Sequence, residues 1–175
     1  RYDDPRRYNA TAIGIMLNGT EHDSTLQNWV IFEGRTGVVS HNGANLLSNV
    51  HTWNDSGQRG GHGIQLIGGR GRVVNCYLDF NSVEVTNVQD VLITGSLFLG
   101  HAAIVVRGDA AVSIFGSTRV RNLVVTNNVF KNANVSIVVD ERALLPIAGQ
   151  HISTIIDSVI ENNQYINASL GRSSR

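Results

Sequence analysis

Four side chains in the first half of the sequence combine flat aromatic rings with groups that can move protons: His51, Trp53, Tyr77 and Asp79. Trp and Tyr rings have apolar faces and polar edges, which suit stacking against a sugar ring. His and Asp side chains can bond sugar hydroxyls or act as general acids and bases. If the fold brings His51 and Trp53 next to Tyr77 and Asp79, we predict that the four side chains form a carbohydrate site. The alternative is that the aromatic rings pack under a neighbouring loop, since Trp is usually largely buried.

Hydrolysis of a glycosidic bond usually needs a second carboxyl group, about 6.5–9.5 Å away for inversion or about 5–5.5 Å for retention. Asp55 lies two residues beyond Trp53. If these residues occupy neighbouring strands, the interstrand spacing puts Asp55 roughly 8 Å from Asp79. We therefore predict Asp79 and Asp55 as catalytic residues of an inverting pair. Glu84 is the alternative second acid and is otherwise predicted to bind substrate.

Two histidines lie just before strands of the repeat described below, His62 between two glycines and His101 after Gly100. Side chains one or two coils apart could line a groove, and His62 is predicted there as a substrate-binding residue. The alternative is that both are ordinary turn residues. No His/Cys/Asp cluster has the spacing of a metal site, and no Gly-rich loop ends in Gly-Lys-Ser/Thr. We therefore expect neither a metal nor a cofactor.

The composition limits the class of protein. The chain has 175 residues, enough for one domain spanning 1–175, and its 14 basic residues balance 14 acidic ones. This balance gives no indication of nucleic acid or an anionic membrane as a partner, and no apolar run reaches the length of a membrane helix, about 18 residues. One cysteine, Cys76, excludes an internal disulfide. Because the first residues are neither a start methionine nor a signal peptide, we interpret the sequence as a fragment of a longer chain.

The sequence repeats itself. One unit is a small residue, an aliphatic residue, a variable residue, a usually aliphatic residue and a turn. It occurs at residues 14–17, 37–40, 63–66, 82–85, 103–106 and 136–139. A second unit follows each of these, an aliphatic pair, a turn residue and another short strand. Its turn residues are Asn28, Asn49, Asn75, Gly95, Asn127 and Asp157. Periods of this length are typical of stacked-repeat architectures.

Strands this short, with no helical segment between them, cannot form βαβ units, and a hairpin sandwich would need tight turns every 8–12 residues or so. Coils of two or three strands, stacked on one another, explain the repeat better. The sequence therefore predicts an all-β, right-handed parallel β-helix (a solenoid) of about six coils. The recurring Asn28, Asn49, Asn75 and Asn127 are predicted to form an asparagine ladder at a tight bend.

Strand alternation then assigns side chains to the two faces of the second strand. Counting from the turn residue, the third position points into the core. These positions hold Ile31, Thr52, Leu78, Phe98 and Phe130. The second and fourth positions point outward, which places the four side chains of the predicted carbohydrate site on one face, in two adjacent coils.

Five Asn-x-Ser/Thr sequons occur, somewhat more than chance predicts. They are Asn9, Asn18, Asn54, Asn134 and Asn167. The excess favours a secreted glycoprotein, with Asn18, Asn54 and Asn134 at least exposed and glycosylated. Coincidence in an Asn-rich chain is the alternative.

Several segments together resemble the plant quartet-type polygalacturonases, divergent relatives of the family 28 glycoside hydrolases with a pectin-lyase-like β-helix. The resemblance covers roughly residues 2–141. The segments are 2–7 (Tyr-Asp-Asp-Pro-Arg-Arg), 42–47 (Asn-Gly-Ala-Asn-Leu-Leu), 50–54 (Val-His-Thr-Trp-Asn), 76–80 (Cys-Tyr-Leu-Asp-Phe) and 98–100 (Phe-Leu-Gly). The resemblance implies a secreted or cell-wall protein that binds pectic or other acidic polysaccharide and hydrolyses α-1,4-galacturonan with inversion. It also implies that the family's N-terminal coils are absent here.

The sequence departs from the family where its catalytic residues would be. Classical family 28 enzymes carry Asn-x-Asp, Asp-Asp and Gly-His-Gly before successive strands. By coil position these fall near Gly61-His62, at Asn81-Ser82 and at Gly100-His101-Ala102. His101 matches and is expected to be catalytic, whereas both acid positions lack carboxylates. Catalysis would therefore use Asp79 with another acid, or be absent.

Three functional hypotheses follow. The first is a polygalacturonase-like hydrolase, and the second is a non-catalytic wall glycoprotein that binds polysaccharide through Trp53 and Tyr77. The third is a structural protein whose coils self-associate end to end, because the ends of a β-helix are open sheet edges.

Overall fold

The computed structural model describes residues 13–18, 23–32, 36–53, 62–100, 104–107, 120–133, 137–140 and 155–168. These residues form short β-strands joined by turns, with no helix among them. Accordingly, none of them forms a helix long and apolar enough to cross a membrane.

The strands, numbered in chain order, form three sheets. Sheet A contains β1 (Ile13–Asn18), β4 (Thr36–His41), β7 (His62–Ile67), β10 (Ser82–Thr86), β13 (Ile104–Arg107) and β16 (Ile137–Asp140). Sheet B contains β2 (Thr25–Gln27), β5 (Ala44–Ser48), β8 (Arg70–Val74), β11 (Gln89–Thr94) and β14 (Val120–Thr126), with both β17 (Ile155–Ile156) and β18 (Val159–Glu161) pairing with β14. Sheet C contains β3 (Val30–Phe32), β6 (His51–Trp53), β9 (Tyr77–Asp79), β12 (Leu97–Leu99), β15 (Val129–Lys131) and β19 (Gln164–Ile166).

Each of these strands pairs in parallel with the equivalent strand one coil away. The chain therefore runs through sheets A, B and C in turn, and the described residues make six coils. This architecture is a parallel β-helix, as the repeat predicted: the first unit forms sheet A, and the second forms sheets B and C.

The core is a set of columns in which equivalent residues of successive coils lie above one another. The five inward positions predicted for sheet C are all buried. In the later coils the column is aromatic: the rings of Phe98 and Phe130 stack with centroids 4.7 Å apart, and those of Phe130 and Tyr165 stack at 5.4 Å. Such stacking adds to the stabilisation that burial provides.

The turn between sheets B and C has two residues in each of the six described coils, whereas the other turns differ in length. Its first residue is left-handed in every one of them, with φ between 53° and 63°. These first residues are Asn28, Asn49, Asn75, Gly95, Asn127 and Asn162. Gly and Asn tolerate this region best, so the bend selects the two residue types that recur there.

The prediction that Asp157 occupies this turn in the last coil was wrong. Asp157 lies between β17 and β18, which both pair with β14 in sheet B, and the turn into sheet C begins at Asn162. The reason for the error is that Asp157 is also left-handed, with φ of 51°, so the sequence contains two similar bends five residues apart.

The predicted asparagine ladder is confirmed for one pair, because the Nδ2 of Asn49 donates to the Oδ1 of Asn28 at 3.2 Å. The four asparagines predicted to form it are exposed.

A second ladder, mostly buried, lies one residue further along the turn in the last four of the six described coils. The Oγ of Ser96 accepts from the backbone N–H of Cys76 at 3.1 Å, and the Oδ1 of Asn128 accepts from that of Ser96 at 3.0 Å. The Oδ1 of Asn163 accepts from the N–H of Asn128 at 3.0 Å, and the Nδ2 of Asn128 donates to the carbonyl of Ile93 at 3.0 Å. This ladder satisfies backbone groups that the tight bend would otherwise leave buried without partners.

Replacing Asn128 with alanine should lower the free energy of unfolding by about 2–4 kcal/mol, because the N–H of Ser96 and the carbonyl of Ile93 would lose buried partners. The matched control is Asn127→Gly, which changes the exposed neighbour and keeps a residue suited to positive φ; its cost should stay below about 1 kcal/mol. Denaturant unfolding measures both. Equal effects would show that the inner ladder does not stabilise the turn.

Candidate functional site on sheet C

The outer face of sheet C brings together the four side chains of the predicted carbohydrate site. In the register of β6 with β9, His51 lies beside Tyr77, and Trp53 lies beside Asp79. Each of these residues is partly buried, while the intervening Thr52 and Leu78 point into the core. The alternation of the strands therefore places the four groups on one surface, one coil apart.

The rings form an aromatic surface that crosses three coils. His51 and Tyr77 stack with centroids 4.3 Å apart and planes inclined by 17°. Phe32, in the preceding coil, meets His51 edge-on at 6.1 Å and Trp53 edge-on at 5.8 Å, and it is 57 % exposed. Phe32 occupies an outward position of the repeat but is not among the site residues predicted from the sequence. Phe32 could have been identified from the sequence, because it occupies the same position of the repeat as Trp53, one coil away.

Asp79 lies in surroundings that favour the protonated form of its carboxyl group. Burial raises the pKa of Asp79 above the ordinary value of 3.8, and the charge of His51 and a hydrogen bond from the Tyr77 hydroxyl only partly oppose this. Burial and the neighbouring Asp79 likewise raise the pKa of Tyr77. Asp79 is the one carboxylate in the described strands of sheet C.

Two buried polar atoms on this surface have no hydrogen-bond partner among the described residues: the Oδ1 of Asp79 and the Nε2 of His51. A buried polar group without a partner lowers the stability of the fold by about 1–3 kcal/mol, so such a group in a native structure indicates a functional role. An acceptor and a ring nitrogen beside aromatic faces are the groups that would bind the hydroxyls of a stacked sugar.

Two further predicted residues, Glu84 and His62, lie on the outer face of sheet A and not on sheet C. The side chain of Glu84 is 7 % exposed, and its Oε2 lies 2.9 Å from Nη1 of Arg107 and 3.2 Å from Nε2 of His62. Its Oε1 accepts from Nε2 of Gln65 at 3.3 Å and from the hydroxyl of Thr86 at 3.4 Å. Glu84 is therefore a carboxylate enclosed by donors, on a different sheet from Asp79. Arg107 and Gln65 could not be found from the sequence, since only the register of sheet A aligns them with Glu84.

The two positions at which classical family 28 enzymes carry acidic residues are adjacent in the structure. His62 pairs with Ser82 in the register of β7 with β10, and Nδ1 of His62 lies 3.0 Å from Oγ of Ser82. Among the described residues no three His, Cys, Asp or Glu side chains cluster as metal ligands do.

The predicted Asp55 and His101, and the sequons at Asn9, Asn54 and Asn134, lie outside the described residues. Asn18 and Asn167 are exposed.

The raised pKa of Asp79 predicts how stability depends on pH. Because the folded-state pKa exceeds the ordinary value of 3.8, the folded protein binds the proton more tightly than the unfolded chain does. The contribution to stability is therefore fully present below pH 3.8 and falls as pH rises through the folded-state pKa. Asp79→Asn should remove this fall, so the difference in unfolding free energy between variant and wild type should grow in favour of the variant from about pH 3.5 to about pH 7. A difference independent of pH would contradict the perturbed carboxyl group.

Comparison with curated proteins shows a similarity that covers most of the chain. The chain is 34 % identical over 131 residues to Polygalacturonase QRT3 of Arabidopsis thaliana. The match covers 73 % of this chain and 25 % of the length of that relative. No family model matches the chain, and no solved structure matches it significantly. The similarity and the parallel β-helix together confirm the resemblance: the chain belongs to the plant quartet-type polygalacturonase-like family.

Proposed function

We propose that this chain is part of a secreted, wall-acting polygalacturonase-like protein that holds pectic galacturonan along sheet C and hydrolyses it with inversion, with Asp79 as the general acid. The similarity to a protein named as a polygalacturonase supports the substrate class. The aromatic surface supports the place of binding, because Trp53, Tyr77 and Phe32 offer ring faces beside groups that bond hydroxyls.

The observation that carries the proposal is the environment of Asp79. A general acid must be protonated at its working pH, and enzymes commonly achieve this by burying a carboxyl group. Burial raises the pKa of Asp79, which favours the protonated form that a general acid needs. Among the described residues the Oδ1 of Asp79 has no hydrogen-bond partner, so the carboxyl group keeps an unused acceptor.

Inversion needs a base about 6.5–9.5 Å from the acid, with water between them. The coil spacing favours Asp55 for this role, with His101 as the one residue that matches a family catalytic motif. Glu84 is less suited, since Arg107 and His62 already engage its carboxylate on sheet A.

A second candidate function is polysaccharide binding without cleavage. Two observations favour it: sheet C carries a single carboxylate in its described strands, and the positions of the family acids hold His62 and Ser82. In that case the aromatic surface would bind pectin in the wall, and Asp79 would only bond a hydroxyl.

Asp79→Asn should reduce the hydrolysis of polygalacturonate by about 10²–10⁴-fold, the usual value of general acid–base help. Trp53→Ala should mainly weaken binding, by roughly tenfold if the indole ring contributes about 1.4 kcal/mol to the binding free energy. Release of reducing ends and binding to polygalacturonate, measured on the native protein and both variants, separate the two effects. Asp90→Asn is the matched control, because Asp90 is an exposed carboxylate on sheet B, paired with Arg70 at 3.1 Å.

Unchanged turnover in Asp79→Asn would remove that residue from the mechanism. Pectin binding without turnover in the wild type would favour the second candidate function.

Glycosylation is expected at Asn18, which ends β1 with an exposed side chain, and also at the predicted sequons Asn54 and Asn134. Peptide mass spectrometry of protein from the native source, before and after enzymatic deglycosylation, would detect the modified asparagines. Finding every sequon unmodified would contradict passage through a secretory pathway.

A further inference from the structure

Three side chains on the outer face of sheet A form a line of close polar contacts that the proposed hydrolysis does not use. The Oγ of Ser82 lies 3.0 Å from Nδ1 of His62, and Nε2 of the same ring lies 3.2 Å from Oε2 of Glu84. A hydroxyl, an imidazole that can take its proton, and a carboxylate that orients the imidazole are the three parts of an activated serine nucleophile.

The proton assignment along this line is consistent. If Nδ1 of His62 accepts the hydroxyl proton of Ser82, the neutral ring carries its own proton on Nε2, which lies 3.2 Å from Oε2 of Glu84. Nη1 of Arg107 lies 2.9 Å from the same Oε2 of Glu84, and the other carboxylate oxygen, Oε1, accepts from Gln65 at 3.3 Å. These contacts fix the carboxylate in one position, as the third member of such a line requires.

A β-bulge in sheet A places His62 beside Ser82. His62 pairs with Ser82, but Ile64 pairs with Val83, so β7 has one extra residue here, Gly63. A bulge of this kind re-aims a side chain and is frequent next to active sites. A Cβ on Gly63 would overlap Oδ1 of Asn81 and Oγ1 of Thr52, which are joined by a buried hydrogen bond of 2.9 Å.

Glu84 is less exposed than the other two groups, as its positioning role requires. Glu84 is nearly buried, the side chain of His62 is 18 % exposed, and Ser82 is partly exposed. Ser82 is therefore within reach of a substrate at the surface, while the carboxylate of Glu84 is shielded from water. A shielded carboxylate orients the imidazole more strongly than a solvated one, because the local dielectric is lower.

We propose that Ser82, His62 and Glu84 form a second active site, which hydrolyses carboxylic esters carried on a carbohydrate chain. The Oγ of Ser82 bonds to the ester carbonyl carbon while its proton passes to Nδ1 of His62. The bond from that carbon to the alcohol oxygen then breaks, and the alcohol leaves with the proton from His62. Water, deprotonated by His62, attacks the acyl group on Ser82, which releases the acid and restores the serine hydroxyl. Glu84 does not touch the ester and acts by positioning His62.

This activity goes beyond the proposed glycosidase and does not depend on it, because it uses sheet A and breaks a different bond. The substrate class is an ester with a small acyl or alkoxy group, because Ser82 is only partly exposed, and a polysaccharide carries this ester. A methyl-esterified uronate and an O-acetylated sugar present the same carbonyl chemistry, and the experiment distinguishes them.

The test uses the native protein with a fluorophosphonate reagent, 4-nitrophenyl acetate, methyl-esterified pectin and acetylated pectin. We expect covalent labelling of Ser82, located by peptide mass spectrometry, and release of nitrophenol and of either methanol or acetate. Ser82→Ala should abolish labelling, and His62→Gln should reduce ester hydrolysis by about 10²–10⁴-fold. The control His41→Gln, a histidine of sheet A one coil away that bonds Asn42, should leave ester hydrolysis unchanged.

Glu84→Gln tests the positioning role: it should lower kcat and the rate of labelling while KM stays within about twofold, and Glu84→Asp should recover part of the rate. Far-UV circular dichroism confirms that each variant is folded, and Ser82→Ala, which removes one partly exposed hydroxyl, provides the test if Glu84→Gln unfolds.

A wild type that is neither labelled at Ser82 nor active on any of the esters would overturn the proposal, as would a Ser82→Ala variant with wild-type ester hydrolysis. Polygalacturonate cleavage, assayed in parallel, should be retained in Ser82→Ala, so the two proposals can fail separately.

Discussion

The parallel hydrogen bonding between successive coils is the interaction on which the rest of the structure depends. Each strand donates to and accepts from the equivalent strand of the neighbouring coil, so the register is carried from β4 through β7 to β10 with one interruption. Once the register is set, every inward residue lies above an inward residue, and every outward residue above an outward one. The core columns, the ladders at the bends and both candidate sites are consequences of this alignment.

The same constraint explains how a fold built from short strands places chemistry. A single outward side chain on a flat sheet is well solvated and makes few contacts. Two such side chains in register lie about 4.8 Å apart, within reach of each other. His51 with Tyr77 on sheet C, and His62 with Ser82 on sheet A, are pairs of this kind. Neighbouring coils therefore supply the partners that a loop or helix would supply in another fold.

The strands and their inward residues could be predicted from the sequence, because strand alternation is strict and the short hydrophobic units recur. The placement of Trp53 and Asp79 on one face followed from the same alternation. The inner ladder could not be predicted, because Cys76, Ser96 and the asparagines that form it share no side-chain type, and most of its hydrogen bonds run to backbone groups.

Two further features depend on backbone geometry that no residue pattern indicates. The separation of Glu84 from Asp79 depends on the bend at Phe80, whose φ of 57° is unusual for an aromatic residue. The bulge at Gly63 becomes visible only when the registers of two coils are compared.

The bend between sheets B and C, by contrast, holds two residues in each described coil. In the last four coils its second residue belongs to the inner ladder, so an added residue would break hydrogen bonds to the neighbouring coils. The bends from A to B and from C to A have no fixed length. Insertions and deletions should therefore accumulate at two of the three corners, which border sheet A on both sides. The corner between sheets B and C therefore keeps one geometry in the described coils, whereas the connections on either side of sheet A can change in length without disturbing the stacking of the coils.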